Sequence, residues 1–376
     1  MGKKNHIIRY CSTIVITVLI GMIIYSITFL IPSKLLKKNV EESYSLLEEE
    51  GEYPHFIYDS EQDSRGMVMN TVPYFFDNYS DSMLINMAYY EGKGNIFQKA
   101  MHNEYVVDLK ATDNVNLAGL KQALYGDHNT VNSYGRYSLS IVGVLKILLI
   151  FLNLGEIRFL LFITGLFFFI YTLYLLLMRV GKVSAATFAI SYVLCGGIIN
   201  NMCLAFSTDF ILMFATMILI LRKKSINHLR EIYLFEIVGI LTFFLNFWSM
   251  PLLTLGMPLI CMILCNMKEK VEYKDILKDI FINSISWIVG LASSVFIKQV
   301  INHCLFSDNS GMGQIAYWGG KNDVTILDRI ILVAICVGRL LVGKMVAIFC
   351  ICIVGVFVYI KPIFIPIPFL FMPSLN

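Results

Sequence analysis

CSTIVITVLIGMIIYSITFLIPSKLLKKNVEESYSLLEEE, residues 11–50, changes character once, at Ile31-Pro32. Up to that point the run from about Ile7 is almost wholly apolar. Beyond it come Lys34, Lys37 and Lys38, then Glu41, Glu42, Glu48, Glu49 and Glu50. An apolar run of about 20 residues crosses a ~30 Å hydrocarbon core as a helix, and the charged stretch behind it does not. The polar stretch continues to about Arg136, after which apolar runs recur to the end of the chain. With 57% hydrophobic residues and a mean hydropathy of +0.68, the pattern predicts an all-α polytopic integral membrane protein. One large loop separates its first and second spans. Connections in compact domains are usually a few residues long, so a loop of this size is the expected seat of chemistry or recognition.

Working back from Ile31, Lys3, Lys4 and Arg9 precede the apolar run. The run is too long for a signal-peptide core and has no small-residue cleavage site before Pro32. It is therefore read as an uncleaved first helix with a cytoplasmic N-terminus. Working forward, basic residues favour the cytoplasmic side of short loops. The clusters are Arg179/Lys182, Arg222/Lys223/Lys224 with Arg230, Lys268/Lys270/Lys274/Lys278, and Lys344. Placing them inside gives spans near 157–178, 184–204, 208–222, 231–249, 251–267, 279–301, 326–343 and 345–361, about nine to ten in all with the first. Trp248, Trp287, Tyr317 and Trp318 then fall near the outer interface. The expected parts are 1–31, N-terminus and first span; 32–156, an extracytoplasmic loop with interfacial helices; and 157–376, a multi-span bundle. Within the last, the proline-rich tail 361–376 reads as a kinked, incomplete span.

Ser138–Leu154 breaks the alternation: counted as a span, it would put Arg179 and Lys182 outside. It is read as an interfacial or re-entrant helix with Lys146 reaching toward water; a full span with the remainder reversed is the alternative. Within the loop, Lys34–Gly66 looks like a solvated helix in its acidic part, and Met83–Tyr90 and Leu117–Tyr125 have helical apolar spacing.

Composition excludes several classes of function. The loop carries more acidic than basic residues, which rules out a patch for gripping nucleic acid. Eight of the nine cysteines lie inside apolar runs and the loop has none, against a disulfide framework or a cysteine metal site. Cys261 and Cys265, one helical turn apart, read as small packing residues. No phosphate-binding glycine loop, HExxH, GxSxG or dinucleotide fingerprint occurs.

Three groups of residues remain as candidates. Asp81, in Asp77-Asn-Tyr-Ser-Asp81, suits a general base or an N-cap. Asp127-His128, with Arg136 soon after, suits a phosphate or a sugar, or is a turn of solvated side chains. Arg136, Lys146 and Arg158 are cations in apolar surroundings, fit for a lipid pyrophosphate or for plain snorkelling. Glu236, inside an apolar run, is expected to neutralise Arg230 or Arg222.

The order of parts resembles the GT-C class of membrane glycosyltransferases. The likeness to protein mannosyltransferase-like enzymes is carried by Leu145-Lys-Ile-Leu-Leu-Ile-Phe-Leu-Asn-Leu-Gly155-Glu-Ile-Arg158-Phe-Leu160, an interfacial helix closing in a turn that ends in arginine. The chain looks more similar still to uncharacterised polytopic membrane proteins of Gram-positive bacteria linked to cell-surface polysaccharide. Asp81-Ser-Met-Leu84, Ser133-Tyr-Gly-Arg-Tyr137 and Pro251-Leu-Leu-Thr-Leu-Gly-Met-Pro-Leu259 carry that likeness. The resemblance implies transfer of a sugar from a polyprenyl-phosphate donor to a surface glycan or glycolipid on the outer face. Asp81 would be the base, and Arg136 and Arg158 contacts to the carrier phosphate. Asp127, His128 and Lys146 complete the substrate-binding set. The cofactor stays open, a divalent metal being compatible. Those relatives have an aromatic-His pair where this chain has Ser138-Leu139, and Asp where Asn246 stands. The alternatives are a flippase, transporter or polymerase of lipid-linked polysaccharide, and a non-catalytic membrane partner derived from such an enzyme.

Overall fold

In the computed structural model, residues 3–54, 76–108, 110–111, 114–126, 130–135, 137–223, 228–247 and 249–306 are described, with side chains except those of 3–9, 228, 229 and 306. They belong to one compact unit, and the chain is mostly helical. The helices are α1 (Lys3–Thr28), α2 (Ser33–Glu50), α3 (Asn78–Tyr89), α4 (Ile96–His102), α5 (Val115–Tyr125), α6 (Ser140–Leu148), α7 (Leu154–Arg179), α8 (Lys182–Leu194), α9 (Gly197–Asn200), α10 (Leu204–Leu221), α11 (His228–Leu245), α12 (Leu253–Lys268) and α13 (Tyr273–Phe306). One feature lies outside the all-α expectation. Strands β1 (Glu104–Val106) and β2 (Val131–Ser133) pair antiparallel, Tyr105 opposite Asn132.

Among the described residues four helices are long and apolar enough to cross a membrane: Tyr10–Thr28, Leu154–Arg179, Leu204–Leu221 and Tyr273–Leu305. The first shows how such a helix divides its surface. Ile14, Val18, Met22 and Tyr25 form one buried stripe at helical spacing. Ile16, Ile20, Ile23 and Ile24 on the other side stay exposed, a face that only an apolar solvent suits. Helices α8 and α12 are apolar but shorter.

The sequence expectations are modified at several points. The expected span 184–204 is interrupted: α8 ends at Leu194, Gly196 takes a left-handed φ of 66°, and the short α9 follows. Helix α13 runs 34 residues from Tyr273, so Lys274 and Lys278 belong to its first turns rather than to a loop. Trp287 is no interface anchor; it is buried and its indole donates to Thr254 Oγ1 at 3.2 Å. The acidic helix α2 is half-buried rather than solvated, because Leu36, Val40, Ser43, Tyr44 and Leu47 turn one stripe inward. The expected spans 326–343 and 345–361, the tail 361–376, Trp248, Tyr317 and Trp318 lie outside the described residues.

Helix α6 has nine residues, about 13 Å of rise, less than half of a hydrocarbon core. Its full-span alternative therefore fails. It packs on α1 through Gly143, where a Cβ would stand 2.7 Å from Thr28 Oγ1 and 3.0 Å from Tyr25. Helices α11 and α13 pack closer still: a Cβ on Gly239 would meet Trp287 O at 2.2 Å, and one on Gly290 would meet Glu236 O at 2.3 Å. Their backbones touch because both positions lack a side chain.

Candidate functional site

Two helix starts build the site. Asp77 caps α3, its side chain accepting from Ser80 N at 3.0 Å. This leaves Asp81 in the first turn, so of its two expected roles, general base or N-cap, it does not fill the cap of α3. At α7, Asn153 and Glu156 form a reciprocal capping box, so both backbone donors are satisfied and the start of the helix is fixed. Arg158 follows on the next turn, pointing into the protein at 3% exposure.

The two meet. Arg158 Nη2 donates to Asp81 Oδ2 at 3.0 Å and to Asn78 Oδ1 at 2.6 Å. Its Nη1 donates to Glu50 Oε2 at 2.7 Å. The guanidinium lies 4.1 Å from the centre of the Phe76 ring, and its Nε has no hydrogen-bond partner among the described residues. Asn78 closes the circuit, its Nδ2 donating to Glu50 Oε2 at 3.0 Å and to Gly51 O at 2.7 Å. The second oxygen of Asp81 accepts from Leu204 N at 3.0 Å. Leu204 opens α10, whose own N-cap residue, Cys203, makes no side-chain cap bond. Asp81 thus serves an orphan donor of a helix 123 residues away.

Electrostatically the site is held under tension. Asp81 is fully buried, and burial pushes its carboxyl up to about 6; Arg158 and the Leu204 N–H pull it down, and Asp77 adds to the rise. Arginine keeps its charge in such surroundings, and its fork matches carboxylate geometry.

Lys146 sits elsewhere. Its ammonium does not reach water: the residue is 1% exposed, and Nζ donates to Ala88 O at 2.7 Å and lies 5.2 Å from the Phe29 ring centre. Ala88 belongs to the last turn of α3, so Lys146 satisfies a terminal carbonyl two turns, about 10 Å, from Asp81. Burial lowers its pKa to about 8, against the pull of Glu91. Glu91 is itself held below the usual carboxylate range by the Ser33 N–H and hydroxyl, both at 2.8 Å.

Asp127, His128 and Arg136 lie outside the described residues. Of the others, the structure joins Asp81 to Arg158 and keeps Lys146 apart. Reading the sequence missed Glu50, Asn78 and Phe76. Glu50 is lost in an acidic run, and Asn78 and Phe76 carry no local signal; only the Asn-x-x-Glu spacing at Asn153 was there to mark where α7 starts. A second polar contact ties the bundle: Asn246 Nδ2 donates to Asp209 Oδ1, and Thr208 Oγ1 to Leu245 O at 2.9 Å. No group of three or more His, Cys, Asp or Glu that could hold a metal occurs among the described residues. Glu50 and Asp81 share a guanidinium instead.

No family model matches the chain, and no curated protein or solved structure resembles it at a significant level.

Proposed function

We propose that this chain is a membrane glycosyltransferase of GT-C type. It transfers a sugar from a polyprenyl-phosphate donor to a cell-surface glycan or glycolipid, with residues 32–156 on the outer face. The supporting observation is the ion cluster itself. The acid and the arginine that the resemblance singles out, 77 residues apart in sequence, touch where apolar α7 begins. In this reading the carrier phosphate competes with Asp81 for Arg158, since both anions suit the same planar fork. As the guanidinium turns to the phosphate, Asp81 Oδ2 is freed to take the proton of the acceptor hydroxyl. The bond from the sugar's anomeric carbon to the phosphate oxygen breaks, the glycosidic bond forms, and the charge leaves on the carrier.

One observation favours a second reading, that of a non-catalytic membrane partner: both Asp81 oxygens are already engaged and shielded from solvent.

The test is the surface-glycan composition of cells lacking the protein, complemented with wild type or Asp81→Asn at matched membrane levels. Loss of one sugar branch, restored by wild type alone, supports the transferase. Restoration by both variants removes Asp81 as base and leaves the partner reading. An unchanged glycan in the deleted strain removes the assignment to polysaccharide.

A further inference from the structure

Helix α2 lies across the ends of two membrane-length helices. It begins at Ser33, just after α1 ends at Thr28. At its far end Glu50 accepts from Arg158, on the second turn of α7, at 2.7 Å. In between, Asn39 Nδ2 donates to Leu149 O at 2.9 Å, Glu42 Oε2 accepts from Asn153 Nδ2 at 3.0 Å, and Ser43 Oγ accepts from Leu154 N at 2.9 Å. Its 18 residues, about 27 Å of rise, are therefore held down along their length to the place where α1 and α7 leave the membrane.

The surface beside α2 is apolar and open. With Lys146 turned inward, the outer stripe of α6 and of the turn behind it is Val144, Ile147 and Phe151, the last 74% exposed, at helical spacing. Leu35, in the first turn of α2, is 57% exposed. This patch continues the exposed faces of the membrane-length helices: Gly143 rests on Thr28 of α1, where Ile27 is exposed, and the turn leads into α7, where Phe159 is exposed. The charges of α2 run against its dipole. Lys34, Lys37 and Lys38 are exposed in its first two turns, and the first turn holds no acid, although a helix start favours negative charge. Pairing within the chain does not offset this. Lys37 lies 3.7 Å from Glu41 and Lys38 3.9 Å from Glu42, with both lysines well exposed, and such pairs contribute little. Glu42 is shared with Asn153, and Glu91, the acid at Ser33, is engaged by that residue's N–H and hydroxyl. An anion from outside the chain suits all three ammonium groups, and at this height beside an apolar patch the anion at hand is a lipid phosphate.

We propose that the start of α2 and the Leu35–Ile147–Phe151 patch form a docking surface for anionic phospholipid. The apolar side chains enter the boundary between headgroups and acyl chains, and Lys34, Lys37 and Lys38 bind the headgroup phosphates. The surface does not depend on the transferase reading, and a scaffold protein would carry it equally well.

The test is the rate at which acetic anhydride acetylates each lysine of the full chain, read by peptide mass spectrometry, in nanodiscs of phosphatidylcholine with or without phosphatidylglycerol. Lys121, on α5 and 62% exposed, is the internal reference. A bound phosphate favours the ammonium over the reactive free amine. The expected result is a several-fold slowing at Lys34, Lys37 and Lys38 when phosphatidylglycerol is present, none at Lys121, and loss of the slowing at high salt, which screens exposed charges. Phe151→Ser, at an exposed position, should reduce the slowing; a slowing that survives this change in full overturns the apolar anchor. Equal rates in the two lipids overturn the proposal, as does a slowing shared equally by Lys121. So do rates that are low at the three lysines in both lipids, which would put a protein partner rather than lipid on this face. Glycan composition is untouched by any of these outcomes, so this surface and the transferase reading fail separately.

Discussion

The loop domain and the helix bundle differ in how they satisfy the side-chain oxygens of their buried asparagines. In the loop domain Asn86 uses both ends of its amide on one residue, donating to Val106 O at 2.9 Å and accepting from Val106 N at 3.2 Å. Asn103 donates to Tyr137 O at 3.1 Å and accepts from the Tyr25 hydroxyl. In the bundle, Asn200 and Asn201 place Nδ2 on Cys195 O and Leu161 O. Their Oδ1 atoms, and those of Asn266 and Asn283, find no donor among the described residues. The reason is backbone supply. A helix carbonyl can accept a second hydrogen bond, but a helix N–H has one hydrogen and has spent it within the helix. Irregular backbone and helix starts are where free N–H groups occur. Asp81 found such a start at Leu204, and Glu236, in mid-bundle, did not.

The hardest blow to this contrast is Arg158→Met. It strands Asp81 and Glu50 in the loop domain as unpaired acids, and the expected loss is about 3–5 kcal/mol of stability, by analogy with broken buried pairs. A thermal or denaturant melt of the full chain in nanodiscs measures it. A loss below about 1 kcal/mol would mean that the cluster is a loose surface pair.

Neutralising each acid in turn sharpens the comparison. Asp81→Asn turns an amide toward Arg158 Nη2, donor against donor, and should cost about 1–2 kcal/mol. Glu236→Gln should cost nothing or stabilise, because it replaces a buried acid neither of whose oxygens has a partner among the described residues. pH separates the two further. The folded pKa of Asp81, about 6, lies above the ordinary 3.8. Between those values the folded chain holds a proton that the unfolded chain has released. The stability from this group is full below about 4 and is lost as pH rises through about 6. The advantage of wild type over Asp81→Asn in melting temperature should therefore shrink across that window; an advantage that grows would refute the assigned direction.

Lys146→Met should have the smallest effect, within about 1 kcal/mol at neutral pH. It removes one hydrogen bond to Ala88 but also a buried charge. Here the folded pKa, about 8, lies below the ordinary 10.5. The unfolded chain holds the extra proton, so wild type should gain on the variant from about pH 8 to 10.5. Parallel curves across that range would mean that the ammonium is solvated.

The helices themselves were legible because their signals are local. The apolar run of α1 and the helical spacing within α3 and α5 are set by neighbours in sequence, whereas the end of α6 at Leu148 was not legible. The break after Leu194 was not, since Cys195-Gly196-Gly197 sits within an apolar run that hydropathy alone reads as continuous. Candidate residues were legible as types but not as partners. Asp81 and Arg158 stood out as charges, yet Glu50 read as one solvated acid among many, and Lys146 read as a side chain bound for water.

Sequence by itself determined that this chain is built of apolar helices with one long polar interruption, because the free energy of moving a segment from water into hydrocarbon is summed residue by residue. Tertiary structure alone decided which charges are satisfied. The partner of Asp81 is 77 positions away in α7 and its second donor 123 positions away in α10, while Glu236 has neither. A hydrogen bond depends on which donor arrives within about 3 Å, and only the packing of distant helices sets that distance.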